Sequence, residues 1–252
     1  MVLPGLWAIP PVDRDECRFA QASRQMFESV ALPDAERDPA LHAGGLAVPY
    51  YGKDPRINKP PLIYWLQATS AAVLTGGEPG RDAMWMYRVP SVLAAVLSVL
   101  CTWRIGLGMM DARAGWLGAA LLAVCPLVAW ESHQARADMV LLLCCTVMQL
   151  ALWRVWRASL GGPAKVARRT ACLMPVVFWA ALSAGVMTKG PIAPLLAVST
   201  AIALCVWTGR WAWLKRLRPL VGLGILTASV TPWVVLLAQQ VGLSAYLGVL
   251  NK

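Results

Sequence analysis

The sequence predicts an all-α fold: a polytopic membrane helical bundle of about six spanning helices, with juxtamembrane helices in a first outer loop. Three observations predict it. The 252 residues are 58% apolar and 14% charged, with a mean hydropathy of +0.56, against about 45–50% and about 25% in an ordinary soluble domain. Uncharged apolar runs recur from Met84 to the far end, so a single anchor on a soluble body does not describe the chain. Breaks rich in Lys and Arg alternate with breaks that are not, as loops do on opposite sides of a bilayer. This composition excludes disorder, a coiled coil, a disulfide-stapled secreted module and most soluble enzyme folds.

Residues 1–83 form one region and residues 84–252 another. Met1–Val12 (MVLPGLWAIPPV) reads as the end of a spanning helix whose earlier part is absent. Asp15–Val30 sets Phe19, Ala22, Met26 and Val30 on one helical face, with Arg18, Gln21, Gln25 and Glu28 largely opposite. That spacing predicts an amphipathic helix at the membrane interface. Pro61–Leu74 predicts a second, apolar helix with proline in its first turn. Its 14 residues are too few to cross, because a span needs about 20; it lies along the membrane or dips into it.

The spans are expected at Val89–Trp103, Ala114–Trp130, Met139–Trp153, Ala171–Thr188, Gly190–Trp207 and within Pro219–Gln239. The shorter runs reach membrane length by taking in a turn at each end, or an arginine that snorkels to the surface. Orientation follows from the loops. Arg104–Arg113, Arg154–Arg169 and Arg210–Arg218 hold 11 Lys and Arg with Asp111 as their only acid, and the other 12 acids lie in the remaining breaks and before Arg88. The basic set is cytoplasmic, which puts residues 13–83 on the periplasmic or extracellular side of a bacterial inner membrane. The net charge of +10 is thereby explained as topology, with no nucleic-acid partner.

Six of the seven cysteines fall in apolar runs, and Cys17 alone is in a polar segment. With no CxxC pair and only His42 and His133, neither a disulfide framework nor a zinc site is expected. No cofactor is called for.

Four polar clusters map to the non-cytoplasmic side: Asp13-Arg14-Asp15-Glu16, Lys59-Pro60-Pro61, Arg136-Ala137-Asp138 and Thr188-Lys189-Gly190-Pro191. Each has an ordinary reading. Asp15 and Asp138 precede helices and suit N-caps, and a lysine at a helix end commonly snorkels. Their shared side shifts the balance. A carboxylate can take the proton of an attacking hydroxyl, and a lysine can hold a departing phosphate. The combination fits group transfer from a lipid phosphate whose tail lies in the bilayer.

DRDECRFAQASRQM, NKPPLIYWL, YRVPSVLAAVLSVL, ARADMVLLL, the TKGP turn and a span containing TPW occur in that order. Together they resemble the polyprenyl-phosphate-sugar transferases of glycosyltransferase family 39, the protein O-mannosyltransferase and aminoarabinose lipid A transferase-like group of the GT-C superfamily. The resemblance runs from about Asp13 to about Gln239. It implies a GT-C fold and inverting transfer of a sugar from a polyprenyl-phosphate carrier at the outer face. Carried over by motif, Asp15 takes the general-base position, Arg18 the adjacent basic one and Asp138 the second acidic one. Lys59 falls at the carrier-phosphate position, and Lys189 matches the TKG lysine, a further candidate for that phosphate. Asp13, Glu16 and Arg136 are additional candidates in the same clusters. Asn58 stands where relatives carry Glu before Lys-Pro, so no metal is claimed and a divalent cation has no support. The family's later spans and C-terminal soluble domain are expected to be absent.

The partners implied are a polyprenyl-phosphate-linked sugar, membrane lipids, and an acceptor that is a lipid such as lipid A, a protein or a glycan. Two competing readings stand beside this one. The chain could be a carrier or flippase for lipid-linked sugars, or a truncated, non-catalytic paralogue. A transporter places polar groups near mid-membrane in broken helices, whereas these charges gather at one surface.

Overall fold

The computed structural model describes residues 5–11, 13–33, 45–57, 59–160 and 164–242, with the backbone alone described over 164–171. Nearly all of it is helical. The order is α1 (Arg14–Ala31), a hairpin of β1 (Tyr50–Tyr51) and β2 (Asp54–Pro55), α2 (Leu62–Thr75), α3 (Met84–Met109), α4 (Ala112–Val124), α5 (Pro126–Ser132), α6 (Asp138–Ser159), α7 (Ala164–Lys189), α8 (Ile192–Thr208) and α9 (Pro219–Val241). The chain divides into two compact units. The first is Met1–Val96, Leu122–Val140 and Trp233–Lys252; the second is Leu97–Leu121 and Leu141–Pro232.

Both helices expected in the outer loop form, within a residue or two of their expected ends. α1 starts where the Asp13 side chain accepts the Asp15 N–H at 3.0 Å, and Asp15 and Glu16 in the first turn complement the helix dipole. It stops at Leu32, just before Pro33. Phe19, Ala22 and Met26 are buried as their spacing requires, while Val30, expected on the same face, is 65% exposed. Gln25, expected on the polar face, is buried instead. α2 follows Pro60-Pro61 and ends at Gly76, whose φ of +68° closes the helix in a left-handed cap. Ser23 Oγ donates to Gln67 Oε1 at 2.7 Å, tying α1 to α2 through buried groups.

Of the expected spanning-helix end at Met1–Val12, Met1–Pro4 and Val12 lie outside the described residues, and residues 5–8 form a turn in which the Ile9 N–H donates to Gly5 O at 3.2 Å.

Among the described residues, four helices are long and apolar enough to cross a membrane: α3, α6, Cys172–Lys189 of α7, and α9. The expected span Ala114–Trp130 is interrupted. Pro126 lacks an N–H and crowds the preceding turn, so the run breaks at Cys125 into α4 and α5, bent by 60°, which count as a fifth span only if the pair crosses as one. The expected Gly190–Trp207 span is the 17-residue α8, one of the shorter apolar helices. The expected six therefore become four unbroken spans, one bent pair and one short helix. Large apolar side chains such as Leu93, Leu97 and Leu100 of α3, Trp116 and Leu121 of α4, and Trp207 of α8 stay exposed.

The second unit has its own core of Met148, Leu152 and Val155 from α6, Phe178 and Leu182 from α7, Cys205 from α8, and Trp213 and Leu217 from the turn before α9. Gln149 Nε2 donates to Thr200 Oγ1 at 2.9 Å, and Trp179 Nε1 to Leu217 O at 2.7 Å. α3 and α4 meet at two glycines: a Cβ on Gly106 would lie 2.7 Å from Gly115 Cα. Gly106→Leu is therefore expected to destabilise this crossing by about 1–3 kcal/mol, read as a lowered melting temperature of the detergent-solubilised chain.

Candidate active site

The first unit brings most of the candidate residues together. Because Asp13 holds the capping position, Asp15 lies one step inside α1 and is not the cap its sequence position allowed. Its carboxylate is 42% exposed and pairs with Arg18 across one turn, 3.7 Å away. The opposite wall comes from the hairpin. Gly52 turns it with φ +65°, a backbone conformation that glycine adopts at no steric cost. Gln25 of α1 then grips the turn in both directions, donating to Gly52 O at 3.0 Å and accepting from Gly52 N at 2.9 Å. The Arg56 N–H donates to Pro49 O at 2.8 Å and prolongs the hairpin.

The result is a cavity of about 450 Å³ lined by Asp15, Arg18, Tyr51, Asp54, Pro55, Arg56, Ile57 and Lys59. Three cations and two carboxylates line it, a net positive charge of one. Lys59 Nζ and the Arg56 guanidinium each lie 4.6 Å from the centroid of the Phe19 ring, at cation–π range. Phe19 is stacked in turn on Tyr64 of α2 at 5.4 Å. Burial pushes the Tyr64 phenol up to about 12, with Arg56 opposing and Asp15 adding to the shift, so it stays protonated at neutral pH. Asn58 lies outside the described residues.

The remaining candidates have other surroundings. Arg136 is held among three carboxylates: its Nη1 is 3.0 Å from Asp13 Oδ2 and 3.1 Å from Glu131 Oε1, and its Nε is 3.7 Å from Asp138 Oδ2. Asp138 is the first residue of α6, in its first turn, and not a cap before it. Glu16 is fully buried. It receives Arg88 Nε at 2.8 Å and Arg88 Nη2 at 3.2 Å, and accepts the Ala135 N–H at 2.9 Å. Arg88 Nη1 donates to Leu6 O and Ile9 O. The Glu16–Arg88 pair thus joins α1, α3 and the chain before α1 (Leu6 and Ile9) from within. Lys189 belongs to the second unit, where it ends α7 ahead of Gly190 at φ +66°. No group of three or more His, Cys, Asp or Glu able to hold a metal ion occurs among the described residues.

Sequence reasoning missed Arg56 and Arg88. Arg56 carried a local signal, a base three residues before Lys59 in the same segment. Arg88 stands in the YRVPSVLAAVLSVL motif, which does not reveal its partner, 72 residues away.

Membrane-length helices that leave leucines exposed, beside an acid-and-cation cavity built from residues 15–59, define an integral membrane protein. Residues 58–236 match the family described as dolichyl-phosphate-mannose-protein mannosyltransferase, and the chain belongs to that family. It is 30% identical over 235 residues to the undecaprenyl phosphate-alpha-4-amino-4-deoxy-L-arabinose arabinosyl transferase of Pseudomonas paraeruginosa, covering 91% of this chain and 36% of that protein. A second such transferase, from Pseudomonas fluorescens, is 30% identical over 240 residues, with 91% and 34% covered. The fold is similar to ArnT from Cupriavidus metallidurans in the apo state, with a TM-score of 0.76 at 21% identity over 94% of this chain and 39% of that one. It is equally similar to the same protein bound to undecaprenyl phosphate, with a TM-score of 0.75 at 22% identity. The chain spans about a third of the length of the curated relatives it matches.

Proposed function

We propose that this chain carries the donor-side part of an inverting membrane glycosyltransferase, which moves a sugar from a polyprenyl-phosphate carrier to an acceptor at the periplasmic face of a bacterial inner membrane. The observation that carries this reading is the cavity in which the exposed Asp15 carboxylate faces Arg18, Arg56 and Lys59. On this reading residues 1–83 are the end of a first spanning helix followed by the outer loop, and residues 84–252 the spanning bundle.

Asp15 takes the proton of the acceptor hydroxyl as its oxygen attacks the anomeric carbon. The bond from that carbon to the phosphate oxygen breaks, and the electron pair leaves with the carrier phosphate. The leaving phosphate gains negative charge in this step, so Lys59 and Arg18 stabilise the transition state more than the bound donor. Asp138, with Arg136, forms a second acidic position beside the first, and Lys189 is a further candidate for the carrier phosphate. The relatives named for an arabinosyl transferase support a pentose on the carrier; a hexose is the alternative sugar, and a lipid A-like lipid, a protein or a glycan is the proposed acceptor.

The test is transfer of labelled sugar from its polyprenyl phosphate by membranes containing the chain. Lys59→Gln is expected to lower kcat/KM about 10- to 100-fold, the loss of one charge-assisted contact, while the protein remains inserted at normal levels. Unchanged transfer would remove Lys59 from the site.

A further inference from the structure

We propose that Arg56 is a second phosphate-binding cation of the site, paired with Lys59 across the Phe19 ring and presenting its guanidinium to the carrier phosphate. The inference rests on the donor reading of the cavity and adds to it a residue that the sequence motifs did not single out.

Four observations carry it. Arg56 lines the cavity together with Asp15, Arg18 and Lys59. Its backbone is fixed by the hydrogen bond to Pro49 O, in a hairpin that Gln25 clamps to α1, so its position does not depend on the side chain. Its guanidinium and Lys59 Nζ stand at the same 4.6 Å from the Phe19 centroid, so two positive charges share one ring. Both cations line the same cavity, so an anion bound there is attracted by both. Arg56 Nε is buried and makes no hydrogen bond of good geometry among the described residues, the Tyr64 phenol being the group that the Arg56 side chain acts on. A buried donor without a partner is costly, and a phosphate oxygen is a partner of matching charge.

The two cations contribute differently. Lysine is a point charge, whereas the planar guanidinium offers parallel N–H groups that meet two phosphate oxygens at once. Arg56 would therefore fix the orientation of the phosphate, and hence the line from the leaving oxygen through the anomeric carbon to Asp15. The Arg56 guanidinium carbon lies 4.6 Å from the Phe19 centroid, and Phe19 is itself stacked on Tyr64.

The test uses the whole chain in lipid nanodiscs, with undecaprenyl phosphate and undecaprenol as probes. The two share a tail and differ in the phosphate. Arg56→Gln is expected to weaken undecaprenyl phosphate binding about 10- to 100-fold and to leave undecaprenol binding unchanged. Arg56→Lys is expected to restore part of the loss, since it returns the charge without the fork, and it also controls for folding. Equal weakening of both probes would make Arg56 a structural residue and overturn the proposal. So would unchanged binding of undecaprenyl phosphate by Arg56→Gln. In that event Lys59→Gln separates the causes: weaker binding leaves the phosphate site standing without Arg56, and unchanged binding removes the donor reading with it.

Discussion

Asp15→Asn is expected to lower sugar transfer by about 10²–10⁴-fold, the range supplied by a positioned general base, with the protein still folded and inserted. Both halves of that expectation come from the geometry. Asn cannot take a proton from the acceptor hydroxyl, so the chemical step loses its base. The fold loses little, because the carboxylate that caps α1 belongs to Asp13, and Asp15 is 42% exposed with only a 3.7 Å pair to Arg18. An exposed pair of that kind contributes about 0–1 kcal/mol. The measurement is transfer from a polyprenyl-phosphate sugar, alongside the melting temperature of the purified chain. Wild-type transfer in the variant would end the assignment of Asp15. A large fall in melting temperature would instead show that its role is structural.

Arg88→Met gives the opposite pattern, a loss of fold ahead of any loss of chemistry. The change strands the Glu16 carboxylate at 0% exposure and leaves Leu6 O and Ile9 O without their donor. Breaking one side of a buried ion pair costs about 3–5 kcal/mol, enough to take most of a protein's net stability. Thermal or denaturant unfolding in detergent measures it. Glu16→Gln should be destabilising in the same direction, and the double variant Glu16→Gln/Arg88→Met less so than the two single effects summed, because neither charge is then left unpaired. Additive losses would mean that the two residues act separately. The comparison matters for function because Glu16 stands one residue from Asp15 in sequence. The two acids sit on different sides of α1, one facing the cavity and one facing the core.

Which features were legible in the sequence depends on how far each signal reaches. The 3.6-residue spacing of Phe19, Ala22 and Met26 is local, and so are the prolines before α2; both helices formed where they pointed. Pro126 was also a local signal, but the uncharged length of the run outweighed it, and the structure followed the proline. Val30 and Gln25 exchanged their expected environments because helical periodicity assigns faces, whereas burial depends on what packs there. The hairpin packs against Gln25, and Val30 falls beyond its reach. Of the thirteen acids, 12 lie outside the basic loops, a distribution legible in the sequence alone.

The sequence by itself determined the class of protein, the helices and the short list of acids and bases. Composition, periodicity and charge order are properties of neighbouring residues, and backbone hydrogen bonding in lipid admits few alternatives to the helix. The tertiary structure decided which of those acids and bases share a cavity. Asp15 and Glu16 are adjacent in the chain and chemically alike, yet one faces Arg18 and Lys59 while the other is enclosed with Arg88. Arg56 and Lys59 became a pair only through Phe19, about forty residues earlier. Long-range packing places such partners, and no local pattern records it.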